Sequence, residues 1–308
     1  MTVTWKARRI GPIILPGMEP RMGANIQGPS MIRVPDWVPR PLGRYYLYFA
    51  DHKGGYIRLA YADAPEGPWT VHPPGSLDLA DSLFPTASPA APAKPAAGDV
   101  LPGRAPPGTP GIPDPLEDAA APHIASPDLH VDHANRRIVM YFHGLCGWNT
   151  QRSRVATSAD GLRFTAREEL LGPSYFRVFR HGGATYALAM PGLLLRSADG
   201  FGGFVRGPVL FPGGLQRHTA VLVRDDLLHV FRTRVGDAPE SILHSTVALA
   251  GDWQGWRAEG ERVVLAPEEP WEGGSLPNAP SWRSSVNLPA RQLRDPAVFE
   301  EDGRTYLL

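Results

Sequence analysis

The sequence contains one cysteine, Cys146, so no disulfide can close within the chain, and a lone thiol fits a reducing compartment. It has no surplus of charge: 31 Lys and Arg face 31 Asp and Glu. That balance argues against a general affinity for nucleic acid or an anionic membrane, both of which need a basic excess. No window approaches the roughly 18 apolar residues of a membrane span. The N-terminal stretch MTVTWKARRIGPIILPG has basic residues, but its apolar run is short and interrupted by proline, and no small-residue cleavage site follows. It makes a poor signal peptide, and the expected location is the cytoplasm. Metal-ligand spacings such as HExxH are also missing. Ser126 and Ser174 follow no nucleophile-elbow pattern, and the glycines at 200–203 open no helix that could cradle a phosphate.

What is plentiful is proline (34) and glycine (33), and between them lie short runs rich in Val, Ile, Leu, Tyr and Phe. Many short strands divided by frequent turn residues is the pattern of an all-β protein. The runs also repeat. Residues 44–69, 137–164, 183–204 and 226–256 each read as an apolar strand, a polar loop and a second strand of small and β-branched residues. A turn carrying Asp with Gly or Trp follows, and each unit closes on an aromatic: Trp69, Phe164, Phe204 and Trp256. A short strand precedes each unit, at 30–34, 128–132, 175–179 and 219–223. A further copy starts at 295–308, DPAVFEEDGRTYLL.

A small sheet cannot bury both faces by itself, so such repeats stack radially as propeller blades. The expectation is one all-β domain over 1–308, a five-bladed β-propeller whose fifth blade is incomplete at the C-terminus and closed by an N-terminal strand near Trp5–Leu15. Residues 79–122, rich in Pro and Ala, read as a surface insertion between blades one and two. The connection 267–293 carries Trp271 and Trp282 and is expected to pack.

The strand openings are Gly28-Pro29-Ser30-Met31-Ile32, Ser126-Pro127-Asp128-Leu129, Gly172-Pro173-Ser174-Tyr175 and Asp295-Pro296-Ala297-Val298-Phe299. In these phrases the chain resembles the five-bladed propellers of the arabinanase, levansucrase and invertase superfamily, including family 43-type glycoside hydrolases. The resemblance implies an axial pocket to which three blades deliver a base, an orienting carboxylate and an acid. By alignment those positions are Gly28, Ser126 and Ser174, so no catalytic residue is carried over. Asp295 is the one strand-opening aspartate.

By the same fold analogy, the pocket is built from the innermost strand starts and from the loops joining second to third strands. The strand starts supply Asn25, Gln27, His123, Tyr175, Arg177, Arg217, His218, Arg294 and Asp295. The loops supply Asp51, His52, Lys53, His143, Trp148, Asn149, Gln151, Arg232, Arg234, Asp237 and Glu240. A saccharide suits this set: amides and charges bond hydroxyls, Trp148 or Tyr175 offers a flat face, and Asp51, Asp295 or Glu240 would supply acid and base. Arg217, Arg232 and Arg234 suit an anionic group such as a uronate, sulfate or phosphate. Two alternatives stand beside it. One is a noncatalytic carbohydrate-binding or interaction propeller. The other is a metal held by His52, His123, His143, His218 and Asp295, although hydrogen-bonded neutral imidazoles account for these histidines better, and no cofactor is expected.

Overall fold

The computed structural model describes residues 5–93 and 102–308. Blade one is formed by β1 (Ile26–Arg33), β2 (Tyr45–Asp51), β3 (Tyr56–Ala62) and β4 (Thr70–Asp78). Blade two comprises β5 (Ile124–Asp132), β6 (Arg137–Gly147), β7 (Thr150–Ser158) and the two-residue β8 (Thr165–Ala166). Blade three follows with β9 (Arg177–His181), β10 (Ala184–Ala189), β11 (Leu193–Ser197) and β12 (Val205–Val209). β13 (Gln216–Arg224), β14 (Leu227–Arg234), β15 (Ile242–Ala248) and β16 (Glu259–Leu265) make blade four. Each is an antiparallel sheet with its strands in sequence order. The fifth sheet has only β17 (Val298–Glu301) and β18 (Arg304–Leu307).

Stacking explains why the second strands are buried throughout. In β2 alternate residues face opposite neighbours: Tyr46 and Tyr48 pack with Ile138, Met140 and Phe142 of blade two, whereas Tyr45, Leu47 and Phe49 pack with Phe299 of blade five. The same alternation continues around the ring. Val139 and Tyr141 meet Val178 and Ala187, and Leu188 and Leu194 meet Leu228 and Val230. The Ser-Ala-Asp-Gly turns fasten blade to blade. Ser158 Oγ accepts from Gly161 N and Ser197 Oγ from Gly200 N, and the next tyrosine back caps each turn: Tyr48 OH donates to Gly161 O at 2.8 Å and Tyr141 OH to Gly200 O at 3.0 Å.

The architecture is therefore four complete blades and a two-stranded fifth: the expected incompleteness of the last blade holds, and four blades rather than five are complete. The N-terminal closing strand is also absent among the described residues. Residues 5–25 form no strand, and the segment instead fills the seam with side chains. Trp5 packs with Phe231, Leu265, Val298 and Leu307, and Ile13 and Ile14 pack against blade one with Phe299 and Leu308. Pro12 and Pro16 withhold N–H donors from any ladder there.

The insertion is built in rather than loose over its described part beyond residue 101. Arg283 N donates to Gly103 O at 2.7 Å and Asn287 N to Gly111 O at 2.6 Å, while Asn149 N reaches Ala119 O at 2.8 Å. A short helix, α1 (Pro115–Ala120), starts on Asp114, whose carboxylate accepts from Leu116 N and Glu117 N. Residues 94–101 of the expected insertion lie outside the described residues. No described helix is long and apolar enough to cross a membrane.

Candidate functional site

The innermost strands open with a shared backbone device. β1 and β5 each carry a register shift, at Gly28-Pro29 and Ser126-Pro127, and the residue before the proline is left-handed, with φ of 63° and 48°. Asp295, again before proline, has φ 53°. On blade three the left-handed residue is Tyr175, φ 63°, so Tyr175 rather than Ser174 occupies the matching position. Blade four shifts register at Arg217-His218 without a left-handed residue.

These openings converge on one cavity of about 1130 Å3, to which the four complete blades and the partial fifth all contribute. Asn25, Gln27, His52, Tyr175, Arg217, His218 and Asp295 line it, together with Lys53, Asn149, Gln151 and Arg294. Across the axis runs a column of rings. Tyr175 lies between His143 and His218, with centroids 4.2 and 4.1 Å away, and His218 Nδ1 pairs with Asp295 Oδ1. His123 meets His143 edge-on at 6.0 Å, and its Nδ1 contacts Ala121 O. Both are buried behind the wall. Burial, with Arg217 and Arg294 beside it, holds the His218 pKa well below the usual imidazole value. Burial raises that of Tyr175.

Other candidates lie elsewhere. Asp51 is off the cavity and accepts from Asn25 N at 2.9 Å, which fixes the approach to β1. Glu240 is fully buried behind the wall, bound by Arg217 Nε at 2.9 Å and Arg294 Nε at 3.1 Å. Arg177 sits beneath the floor, donating to Thr219 O and Pro127 O. Arg232 and Arg234 both pair with Glu261, and Asp237 binds Arg234, away from the cavity. Trp148 does not line the cavity, and its carbonyl accepts from Thr150 Oγ1. Among the described residues no group of three or more His, Cys, Asp or Glu is arranged to hold a metal. His52 is instead engaged with Asp118, its Nε2 lying 3.5 Å from Oδ1.

Sequence reasoning missed the contribution of the two long connections. Arg104 and Asp118 come from the insertion, Arg283, Ser284 and Ser285 from the 266–297 connection, and Arg152 and Arg206 from the blade rims. Nothing local marks them, because the connections acquire their positions only by pairing with each other, as in the Arg104–Arg283 bridge. With them included, seven cationic side chains line the cavity: Lys53, Arg104, Arg152, Arg206, Arg217, Arg283 and Arg294. They face two carboxylates, Asp118 and Asp295. Burial and the neighbouring Arg217 lower the pKa of Arg283 and of Arg294 to about 10, and Glu240 opposes the shift in both. Asp118 is held at about 2: burial alone would raise it, but His52 and Lys53 outweigh that.

No family model matches the chain. An uncharacterized protein of Acanthamoeba polyphaga mimivirus is 34% identical over 310 residues, spanning 92% of this chain and 79% of that protein. Among solved structures, an α-L-arabinofuranosidase from Clostridium thermocellum aligns with a TM-score of 0.52 at 16% identity, covering 83% of this chain and 79% of its own. A family 43 β-xylosidase/α-arabinofuranosidase from a compost metagenome, solved with xylotriose, gives 0.52 at 12% identity over 93% and 85%. An α-L-arabinofuranosidase from Lactobacillus brevis gives 0.50 at 13% identity over 92% and 82%. At these identities the likeness is one of fold, the β-propeller of glycoside hydrolase family 43.

Proposed function

This chain belongs to the same family as the mimivirus protein, and we propose that its axial cavity binds and acts on a saccharide bearing acidic groups. One observation carries this: seven cationic side chains against two carboxylates line a cavity in a chain of zero net charge. Arg104, Arg152, Arg206 and Arg283 form no ion pair among the described residues, so their charge is available to a ligand. Gln27, Asn149 and Gln151 add amides suited to hydroxyls, and Tyr175 adds an aromatic face. The solved relatives by fold act on arabinosides and xylosides by their names, which supports a saccharide. Of the three carboxylates expected to be catalytic, Asp295 is the one that lines the cavity. The lone thiol, Cys146, is the ground for placing the protein in the cytoplasm.

Titration calorimetry with a uronate oligosaccharide and its neutral counterpart tests the proposal. Saturable binding of the acidic ligand, weakened by salt and at least about tenfold by Arg283→Gln, is expected. Absence of saturable binding for every acidic saccharide tried would overturn it. A noncatalytic propeller is the second reading, favoured by the lack of a carboxylate at Gly28, Ser126 and Tyr175, and it predicts binding with no product released.

A further inference from the structure

Resting on the acidic-saccharide reading, we propose that the cavity cleaves a 4-linked uronate by β-elimination, with His218 as base, Tyr175 as acid and Asp295 as the residue positioning His218.

A glycosidase requires one carboxyl to protonate the leaving oxygen and a second carboxylate to activate water or to attack. The cavity is lined by two carboxylates, and neither is suited to the acid role. Asp118 is locked with His52 and Lys53, each 3.5 Å away, and Asp295 is paired with His218. Elimination has different requirements: cations to bind the uronate carboxylate and steady the charge that spreads onto it, a base for the adjacent C5 proton, and an acid for the O4 leaving group.

All three are present together. Arg217 and Arg294 share the single carboxylate of Glu240 and both donate to Ser284 O, leaving positive charge in excess. The neighbouring Ser285 is 5% exposed and its hydroxyl has no partner, an open donor on the same wall. His218 Nδ1 is paired with Asp295 Oδ1, and a proton carried on that nitrogen leaves Nε2 as the basic nitrogen of a ring that lines the cavity. Tyr175 stacks on that same ring at 4.1 Å, so acid and base are neighbours. The protonation states agree: burial and Arg217 keep His218 neutral, and burial keeps Tyr175 protonated.

The step balances without a co-reactant. His218 Nε2 takes the C5 proton, and the C5–H electron pair becomes the C4=C5 double bond. The C4–O4 bond breaks with its pair on oxygen, and Tyr175 OH protonates that oxygen. The proton on His218 then returns through solvent to the Tyr175 phenolate, which resets both groups.

Polygalacturonate is incubated with the full chain, a neutral 4-linked glucan serving as control. Product is followed by the ultraviolet absorbance of a C4=C5 bond conjugated with the carboxylate, and by mass spectrometry in heavy-oxygen water. Absorbance without incorporated water is expected. His218→Gln and Tyr175→Phe should each lower kcat by about 10²-fold or more while polygalacturonate still binds. Asp295→Asn should lower kcat with little change in KM and shift the acidic limb of the pH profile, which His218 sets as the base, downward, because imidazolium loses its anion while Arg217, Arg294, Arg177 and His143 still face it. A purely structural role would not move that limb. New reducing ends carrying heavy oxygen and no absorbance would overturn elimination and leave the acidic-saccharide reading standing, as would binding with no product. Failure to bind any polyuronate would remove both.

Discussion

Gly28 and Ser126 meet at the axis so closely that a Cβ added to Gly28 would stand 2.9 Å from both the Ser126 Cα and its Oγ. Blades one and two therefore leave no room for a side chain at the position where the resembled hydrolases carry their base. Gly28 also has φ 63°, a conformation that side chains other than glycine's occupy at a cost.

It follows that Gly28→Asp does not restore a hydrolase site. The substitution should destabilise the chain by about 1–3 kcal/mol through strain and contact. Urea unfolding checks this, and an unchanged midpoint would show that the axis can part to admit a side chain.

Arg177 ties the ring together from beneath the floor. It donates to Pro127 O of blade two at 2.6 Å, Thr219 O of blade four at 2.9 Å and Pro29 O of blade one at 3.4 Å, and lies 3.5 Å from Asp128. Burial would raise the pKa of Asp128, but His130, Arg177 and the Val178 N–H outweigh it and keep the carboxyl ionised. Arg177→Met should cost about 3–5 kcal/mol, since it strands a buried carboxylate and several carbonyls. A loss under about 1 kcal/mol in urea unfolding would contradict that role.

Six histidines should make the chain acid-sensitive. Burial lowers the pKa of His123 to about 3 and of His244 to about 4, with Lys53 and His229 adding to the respective shifts. His72, His143, His218 and His229 are lowered too, burial again being the largest cause. Such groups stay neutral when folded but take a proton near 6.5 when unfolded. Their contribution is present above 6.5 and is lost as pH falls toward 4 and then 3, at up to about 1.4 kcal/mol per pH unit for each. Unfolding midpoints at pH 7.5 and 5 measure the slope, and His244→Phe should flatten part of it. Equal midpoints at the two pH values would refute the assignment.

The strands were legible because alternation is local. Tyr45 to Phe49 reads as a strand buried on two faces from composition alone, and the Ser-Ala-Asp-Gly turns announce the period. The path of the N-terminal segment was not legible. Its apolar residues satisfy a strand pattern and a seam-filling segment equally, and what decides between them is the geometry around Trp5. At the site, strand openings led directly to Tyr175, His218 and Asp295. Asp51 and Glu240 have the same sequence character, yet one holds a backbone N–H and the other neutralises two arginines from behind. Arg104 and Arg283, on the two connections, depend on contacts across more than 170 positions of chain, which no local pattern encodes.

The concentration of cations at the cavity has a consequence for the whole molecule. Because 31 basic and 31 acidic residues cancel overall, the excess at one end requires an equal deficit over the remaining surface. The protein thus has no monopole but an uneven charge distribution, positive at the cavity mouth. It feels little net pull from a distant polyanion, but that polyanion's field exerts a torque that turns its mouth to face it. Ionic strength should therefore act on the orientation of encounter more than on its frequency.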